Sequence, residues 1–443
     1  MKAWAMVHKT VLENGVRVIS ERLDHFRSVS LGIWVDVGSR DEVSEENGIS
    51  HFIEHMIFKG TARRSSFQIA KDLDAIGGLS NAFTGTEYTC FHSRVLDKHL
   101  DPLTEVLSDI FLNSVFEPEE MDRERQVIFQ EINMQGDTPD EHIHTLFSQL
   151  FWMNHPLGMP VLGTPETVSA IAKQTIGRYI KRYYTPERIL VVAAGNVDHS
   201  QLVSLFRSLF ETLPKAVVLS PRVAPESHAG ISCYEKDLEQ VHLCLGGRAP
   251  HLSSSYRFAA AVLNTILGGN MSSRLFQEIR EKRGLAYSVY SFLAPYVDAG
   301  LLGIYVGTVS GEVNRVLRIV EREVMKIQKR GLSKRDLMAT KEHLVGGILL
   351  GSENTDSRMM RLAKNEYIFG RDIPYEELLS EVQRVTVDEV VDVAREAFQR
   401  ESVSLATLGP IRREDLDLAV LQFNERARVP RQRGRRVSLP AGR

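Results

Sequence analysis

Residues 183–210 read YYTPERILVVAAGNVDHSQLVSLFRSLF, and residues 397–423 read AFQRESVSLATLGPIRREDLDLAVLQF. In each, a helix end runs into a short apolar run. A glycine stops the run, Gly195 in one and Gly409 in the other, 214 positions apart. A helical pattern follows each glycine. A short apolar run closed by glycine fits a buried strand. The same order of elements twice in one chain points to an internal repeat.

A second pair of segments supports the repeat. GGLSNAFTGTEYTCFHSRV (77–95) and RGLAYSVYSFLAPYVDAGLLGIYVG (283–307) both start from Gly-Leu and run into alternating strands, at an offset of about 206. Long helical stretches follow each, over 97–112 and 117–135 in the first half and over 310–330 and 333–350 in the second. LPKAVVLSPRVAPESHAG (213–230), with three prolines, reads as a connection between the copies. The expected organisation is a first domain over 1–215, a linker over 216–230, a homologous domain over 231–425 and a basic tail over 426–443. Strands and helices without strict alternation give an α+β class: two tandem homologous domains, each a mainly antiparallel sheet with helices packed on it.

Of the 443 residues, 43% are hydrophobic and 25% charged, as in ordinary globular proteins. No apolar run reaches the roughly 20 residues of a membrane span. The start, MKAWAMVHKTVLENGVRVIS, has no continuous apolar stretch of a secretory signal, so a cytoplasmic protein is expected. Three cysteines, Cys90, Cys233 and Cys244, make no disulfide framework and no C-x-x-C metal pair. The tail holds seven arginines and no acid. With these set aside the net charge of −3 becomes −10 for the body, which suits basic or unfolded peptide partners. The tail itself reads as a solvated, disordered end, and no nucleic-acid reader module is recognisable.

ISHFIEHMIFKGT (49–61) carries the chemistry. Ile49, Ile53, Met56 and Ile57 form the apolar face of a helix. His51 and His55 are one turn apart, about 6 Å along the axis, and project to the same side. Two imidazoles so placed can converge on one zinc ion. Glu54, just off that face, can take a proton from an attacking water. This order inverts that of the H-E-x-x-H zinc peptidases. A third ligand is sought in EPEEMDRERQVIFQEINMQ (117–135), a helix begun by Pro118. Glu124, Ile128 and Glu131 share one stripe. The two glutamates are two turns apart, about 10.5 Å, too far to serve one ion together. Spacing does not say which is the ligand. The ordinary alternatives are a chance histidine pair and a solvated acidic face.

Together these residues resemble the inverzincin peptidases of family M16, the pitrilysin and insulinase class. The chain is most similar to the short two-domain branch that includes the mitochondrial processing peptidase β subunit and bacterial relatives. HFIEHMIFKGT matches the family signature almost residue for residue. Glu131 stands 76 positions after His55, where the family has its third ligand, and Glu124 seven before it, where the family has a functional glutamate. The resemblance implies Zn2+ held by His51, His55 and Glu131, with Glu54 and Glu124 as catalytic residues. It implies that Asn81 and Ala82, on an edge strand, hold substrate backbone by strand addition. It also implies that Arg280 and Tyr287 of the second domain reach substrate and transition state, Tyr287 as a donor to developing negative charge. By pattern alone, Arg280 is a helix-surface residue and Tyr287 a strand-core one. Glu141 stands ten positions after Glu131, where processing peptidases have an acid that recognises an arginine near the cut. Their second acidic position is Thr145 here, a departure from that pattern.

The second copy lacks the metal residues, Val345 falling opposite Glu131. The resemblance thus implies a clamshell in which an inactive domain closes a chamber over the catalytic one. Its substrate would be a peptide or unfolded polypeptide and its assembly a homodimer, with no nucleic acid and no membrane involved. The alternative is a noncatalytic scaffold-like homologue. Such proteins commonly lose metal residues, and His51, Glu54, His55 and Glu131 are all present.

Overall fold

The structure, a computed structural model, describes residues 6–214, 221–399 and 402–421. The basic tail and residues 216–220 of the expected linker lie outside the described residues. In the first half the strands are β1 (Val7–Val11), β2 (Arg17–Arg22), β3 (Ser28–Val35), β4 (Leu79–Thr84), β5 (Thr89–Leu96) and β6 (Ile189–Gly195). Its helices are α1 (Ile49–Ile57), α2 (Ser66–Ala75), α3 (Leu100–Asn113), α4 (Pro118–Asp137), α5 (Pro139–Phe151), α6 (Pro165–Ala170), α7 (Lys173–Tyr183) and α8 (His199–Phe210). The second half has strands β7 (Ile231–Glu235), β8 (Val241–Arg248), β9 (Ala286–Pro295), β10 (Gly300–Thr308) and β11 (Ser404–Gly409). Its helices are α9 (Arg257–Leu267), α10 (Val313–Arg330), α11 (Lys334–Gly351), α12 (Thr355–Phe369), α13 (Tyr375–Arg384) and α14 (Val387–Ala397).

Each half builds one sheet. The first has the order β1-β2-β6-β3-β5-β4 and the second β7-β11-β8-β10-β9. Without β1 the two orders coincide. In each, the leading pair of that shared order is parallel, β2 with β6 and β7 with β11, and the other pairs are antiparallel. The equivalent glycines explain themselves. Gly195 has φ +133° and Gly409 φ +142°, which side chains rarely adopt. A Cβ at Gly195 would lie 2.2 Å from the Ser28 oxygen, and one at Gly409 2.5 Å from the Gln240 oxygen. Both strands end where the chain crosses the start of the neighbouring strand.

Beyond Gly409 the copies diverge. The first half continues into α8, anchored by the fully buried Leu202, Phe206 and Phe210. The second makes only short 3-10 turns over Arg413–Asp415 and Leu418–Leu421 among the described residues. Leu416 is buried there.

Strand β6 is buried along all seven residues, so both faces of its sheet are covered. One face takes helices of its own half, with Leu31, Ile33 and Val191 in the same core as Phe52 of α1, Leu107 of α3 and Phe206 of α8. The other face, with Trp34, Leu190 and Val192, takes Met359, Leu362 and Ala363 of α12, a helix from the second half. The second sheet is treated alike. Its Cys244, Leu301, Tyr305 and Ala406 pack against Ile143, Phe147 and Phe151 of α5, from the first half. The stripes that do this recur at i, i+3, i+4 and i+8, as one apolar helix face requires. The halves therefore exchange a helix each. Buried Arg358 of α12 adds an ion pair to buried Glu21 of β2, at 2.5 Å. Among the described residues no helix is long and apolar enough to cross a membrane.

This exchange makes a first-half residue support the second sheet. Phe147 is 1% exposed, and Phe147→Ala is expected to cost about 3–5 kcal/mol of stability. Amide hydrogen exchange should quicken in β8 and β11 before β3. Quickening confined to β3 and β5 would contradict the exchanged packing.

Candidate metal centre

Helix α1 starts where only glycine fits. Gly48 has φ +93°, and a Cβ there would stand 2.8 Å from both the Leu162 oxygen and the Gly163 Cα. The helix then buries Ile49, Phe52, Ile53, Met56 and Ile57, each at most 1% exposed. Helix α4 packs across it. Arg125 fixes the register of α4 by donating to the Val168 and Ile171 oxygens at 3.2 and 2.9 Å.

That packing brings Glu131 of α4 over the two histidines of α1. Its Oε2 lies 3.6 Å from Nε2 of His51 and 3.6 Å from Nε2 of His55. Both distances are too long for a direct hydrogen bond. They are close to the roughly 3.3–3.4 Å that separates two ligand atoms bound tetrahedrally to one zinc at about 2.0–2.1 Å. Two imidazoles and one carboxylate, with ligand atoms within 4.8 Å of one another, form the metal-competent cluster among the described residues. The donor set suits zinc with an open fourth position. Burial, then the neighbouring His55, pushes His51 down to about 4, so its ring is neutral at pH 7 and offers a lone pair.

Glu124, two turns before Glu131, goes to the far side of His55. Its Oε2 lies 3.0 Å from His55 Nδ1, and Lys59 Nζ pairs with its Oε1 at 2.6 Å. A carboxylate on Nδ1 keeps the proton there and leaves Nε2 free to bind metal. The two glutamates thus separate in space: Glu131 faces both Nε2 atoms, and Glu124 meets one ring at Nδ1. His51 has no such support, as its Nδ1 is buried without a hydrogen-bond partner.

Glu54 faces β4. The Thr84 hydroxyl donates to its Oε2 at 2.6 Å. Burial pushes the Glu54 carboxyl above the usual range, and the Thr84 hydrogen bond pulls it partly back. A carboxylate raised in this way is a better proton acceptor near neutrality. Strand β4 is the edge of its sheet, paired only with β5, and carries Asn81 and Ala82. A cavity of about 410 Å³ joins this edge to the cluster, lined by Glu54, His55, Phe58, Leu73, Asn81 and Ala82 among others.

The remaining expected residues stand apart from the cluster. Arg280 lies in a short π-helical turn over Phe276–Glu281, and its guanidinium sits over the Tyr287 ring at 4.7 Å. Tyr287 is 79% exposed at the head of β9, where the pattern alone suggests a core position. It shares the strand face of buried Val289 but stands at the strand's start, where its side chain is exposed. Neither residue makes a hydrogen bond, ion pair or ring contact with the histidines. Glu141 is exposed in the first turn of α5 and likewise makes no such contact with the cluster. One contributor escaped the sequence reading: Thr84, whose hydroxyl holds Glu54. Its only signal was its place on the edge strand.

Comparison with known proteins bears on the family and the fold. The family model described as Insulinase (Peptidase family M16) matches residues 17–165, and that described as Peptidase M16 inactive domain matches residues 170–344. An uncharacterized zinc protease of Bacillus subtilis is 39% identical over 91% of this chain and 98% of its own length. One of Streptomyces coelicolor is 40% identical over 92% of this chain and 90% of its own. Among solved structures, a protease from Helicobacter pylori superposes with a TM-score of 0.84 at 21% identity, covering 92% of this chain and all of that one. A Pseudomonas fluorescens protein described as a peptidase M16 inactive domain gives 0.85 at 19%, covering 92% and 98%. At such identity these two speak for the fold.

The cluster yields a direct expectation. Glu131→Gln removes the charged member of the three ligands, so zinc should be lost on dialysis against a mild chelator while the wild type keeps about one ion per chain. A Glu131→Gln protein that retains full zinc would refute the assignment.

Proposed function

The chain belongs to peptidase family M16, and we propose that it is a zinc-dependent endopeptidase acting on peptides or unfolded protein segments. The single observation that carries this reading is Glu131 Oε2 standing equidistant, at 3.6 Å, from two histidine nitrogens, with Glu54 alongside. A zinc ion held by His51, His55 and Glu131 supplies a Lewis acid that polarises a peptide carbonyl and acidifies water. The chain's own groups do the rest. Glu54 accepts the proton of the attacking water and passes it to the leaving amine. Glu124 keeps His55 in the tautomer that ligates. The free edge of β4 at Asn81 and Ala82 aligns an extended peptide by main-chain hydrogen bonds, which tolerates many sequences. Tyr287 donates its hydroxyl to the carbonyl oxygen as charge builds there, with Arg280 stacked on its ring. Glu141 serves as a peripheral acid for a basic substrate residue. The first half is the catalytic domain and the second an inactive partner that closes the chamber.

Glu54→Gln should fold, keep its zinc and lose peptide cleavage by several orders of magnitude, because it removes the base and no ligand. Tyr287→Phe should keep KM and lose kcat by about 10–1000-fold, as a donor to developing charge does. Zinc content and steady-state kinetics on one internally quenched peptide read both. Wild-type turnover in Glu54→Gln ends the mechanism, whereas unchanged kcat in Tyr287→Phe removes only the second half from the chemistry.

The working form is a homodimer. Sedimentation velocity under assay conditions should give twice the chain mass, and a monomer with full activity would contradict it.

A further inference from the structure

The two histidines of the cluster are supported unequally. His55 is held through its ring, by Glu124 at Nδ1. His51 has no partner at Nδ1, so its placement rests on the backbone of the first turn of α1. That turn is gripped by a side chain from outside the helix. Glu42 is 2% exposed. Its Oε2 accepts from the Gly48 N–H at 2.8 Å and from Asn47 Nδ2 at 2.9 Å, and its Oε1 accepts from the Ser50 N–H at 2.9 Å. Ser50 is the residue immediately before His51. The first N–H groups of a helix have no partner within it, and a carboxylate there meets both free donors and the positive end of the helix dipole.

The arm that carries Glu42 is itself fixed on several sides. Arg40, two residues earlier and 5% exposed, donates to Glu87 and to Asp298, each at 2.6 Å, and to the Val223 oxygen at 2.8 Å. Asp41 receives Arg222 at 2.6 Å, and its carbonyl receives the Tyr183 hydroxyl at 2.8 Å. Three consecutive charged residues thus tie one short turn to the second half, to the segment joining the halves and to the metal helix. A clamp mounted on so many ties cannot follow α1 if the helix shifts. It holds the helix start in place instead.

We propose that Glu42 is a positioning residue for the metal centre, fixing His51 through the first-turn backbone as Glu124 fixes His55 through its ring. The proposal rests on the zinc reading of His51, His55 and Glu131. Glutamine at position 42 keeps the shape but offers one acceptor oxygen, so one of the N–H donors of the turn faces an amide NH2 instead. Loss of a group that orients a ligand typically weakens metal binding by about 10–100-fold.

The test is zinc affinity of the full chain by competition with a chromophoric chelator, with thermal unfolding of the metal-free protein measured alongside. Glu42→Gln should bind zinc at least about tenfold more weakly. Phe147→Ala is the control, since it lowers stability in a different core from the one that holds α1 and should leave zinc affinity unchanged. A purely structural role would make Glu42→Gln behave like that control, less stable but with wild-type affinity, and would overturn the proposal. If Glu42→Gln does not fold, Asn47→Ala is read in its place: several-fold weaker binding supports the proposal and wild-type affinity overturns it. A wild type that binds no zinc overturns the metal reading and this proposal with it. Tight wild-type binding with Glu42→Gln within twofold overturns this proposal alone.

Discussion

A β-sheet with two apolar faces needs two covers, and neither half of this chain supplies both for its own sheet. Everything else follows from how that shortage is met. Helix α5 leaves the first half to close the second sheet, and α12 returns to close the first. The burial is substantial: Trp34, Leu190 and Val192 on one sheet and Cys244, Tyr305 and Ala406 on the other become fully or almost fully inaccessible. Apolar area of this kind is worth roughly 25 cal/mol per Å². The two halves are thereby one cooperative body, and the position of the second half relative to α1 is set by packing rather than by a tether. The connecting segment confirms this, since Arg222 is sunk among Asp36, Asp41 and the Glu87 carbonyl.

Within that frame the metal helix is a buried element carrying polar cargo. Its apolar residues and His51 are largely inaccessible, and burial keeps the His51 ring neutral and available as a ligand. The same burial raises Glu54. Burial outweighs the hydrogen bonds from Ser50, Gly48 and Asn47 and leaves Glu42 raised to about 7. One physical cause, removal from water, therefore prepares the His51 imidazole to donate electrons and the Glu54 carboxylate to accept a proton. At the edge of the site Lys59 pairs with Glu124 at 2.6 Å, on the oxygen that does not face His55.

Much of this was legible in the sequence, and the reasons are specific. The strand–glycine endings at Gly195 and Gly409 announced the repeat because only glycine tolerates those backbone angles. The histidine pair was legible because a helix turn places i and i+4 together. Glu131 and Glu124 could be found, but not told apart, because period alone does not reveal which helix face meets α1. Three features stayed hidden. The helix exchange was invisible because an amphipathic stripe names a buried face and not its partner. Tyr287 was read by pattern as core, since alternation does not know where the covering layer stops. The turn Arg40–Asp41–Glu42 gave no signal, because its partners lie up to 258 positions away in the chain.

The lent helix also has a history during synthesis. The apolar stripe of α5 leaves the ribosome well before the strands that will cover it, because β11 ends at Gly409 while α5 ends at Phe151. At about 5–20 residues per second that interval is roughly ten to fifty seconds. Through that time the cover over Ile143, Phe147 and Phe151 is incomplete, β8 and β10 arriving before β11. The first half is thus born adhesive, and the cell must shield one greasy helix until the last strand arrives to receive it.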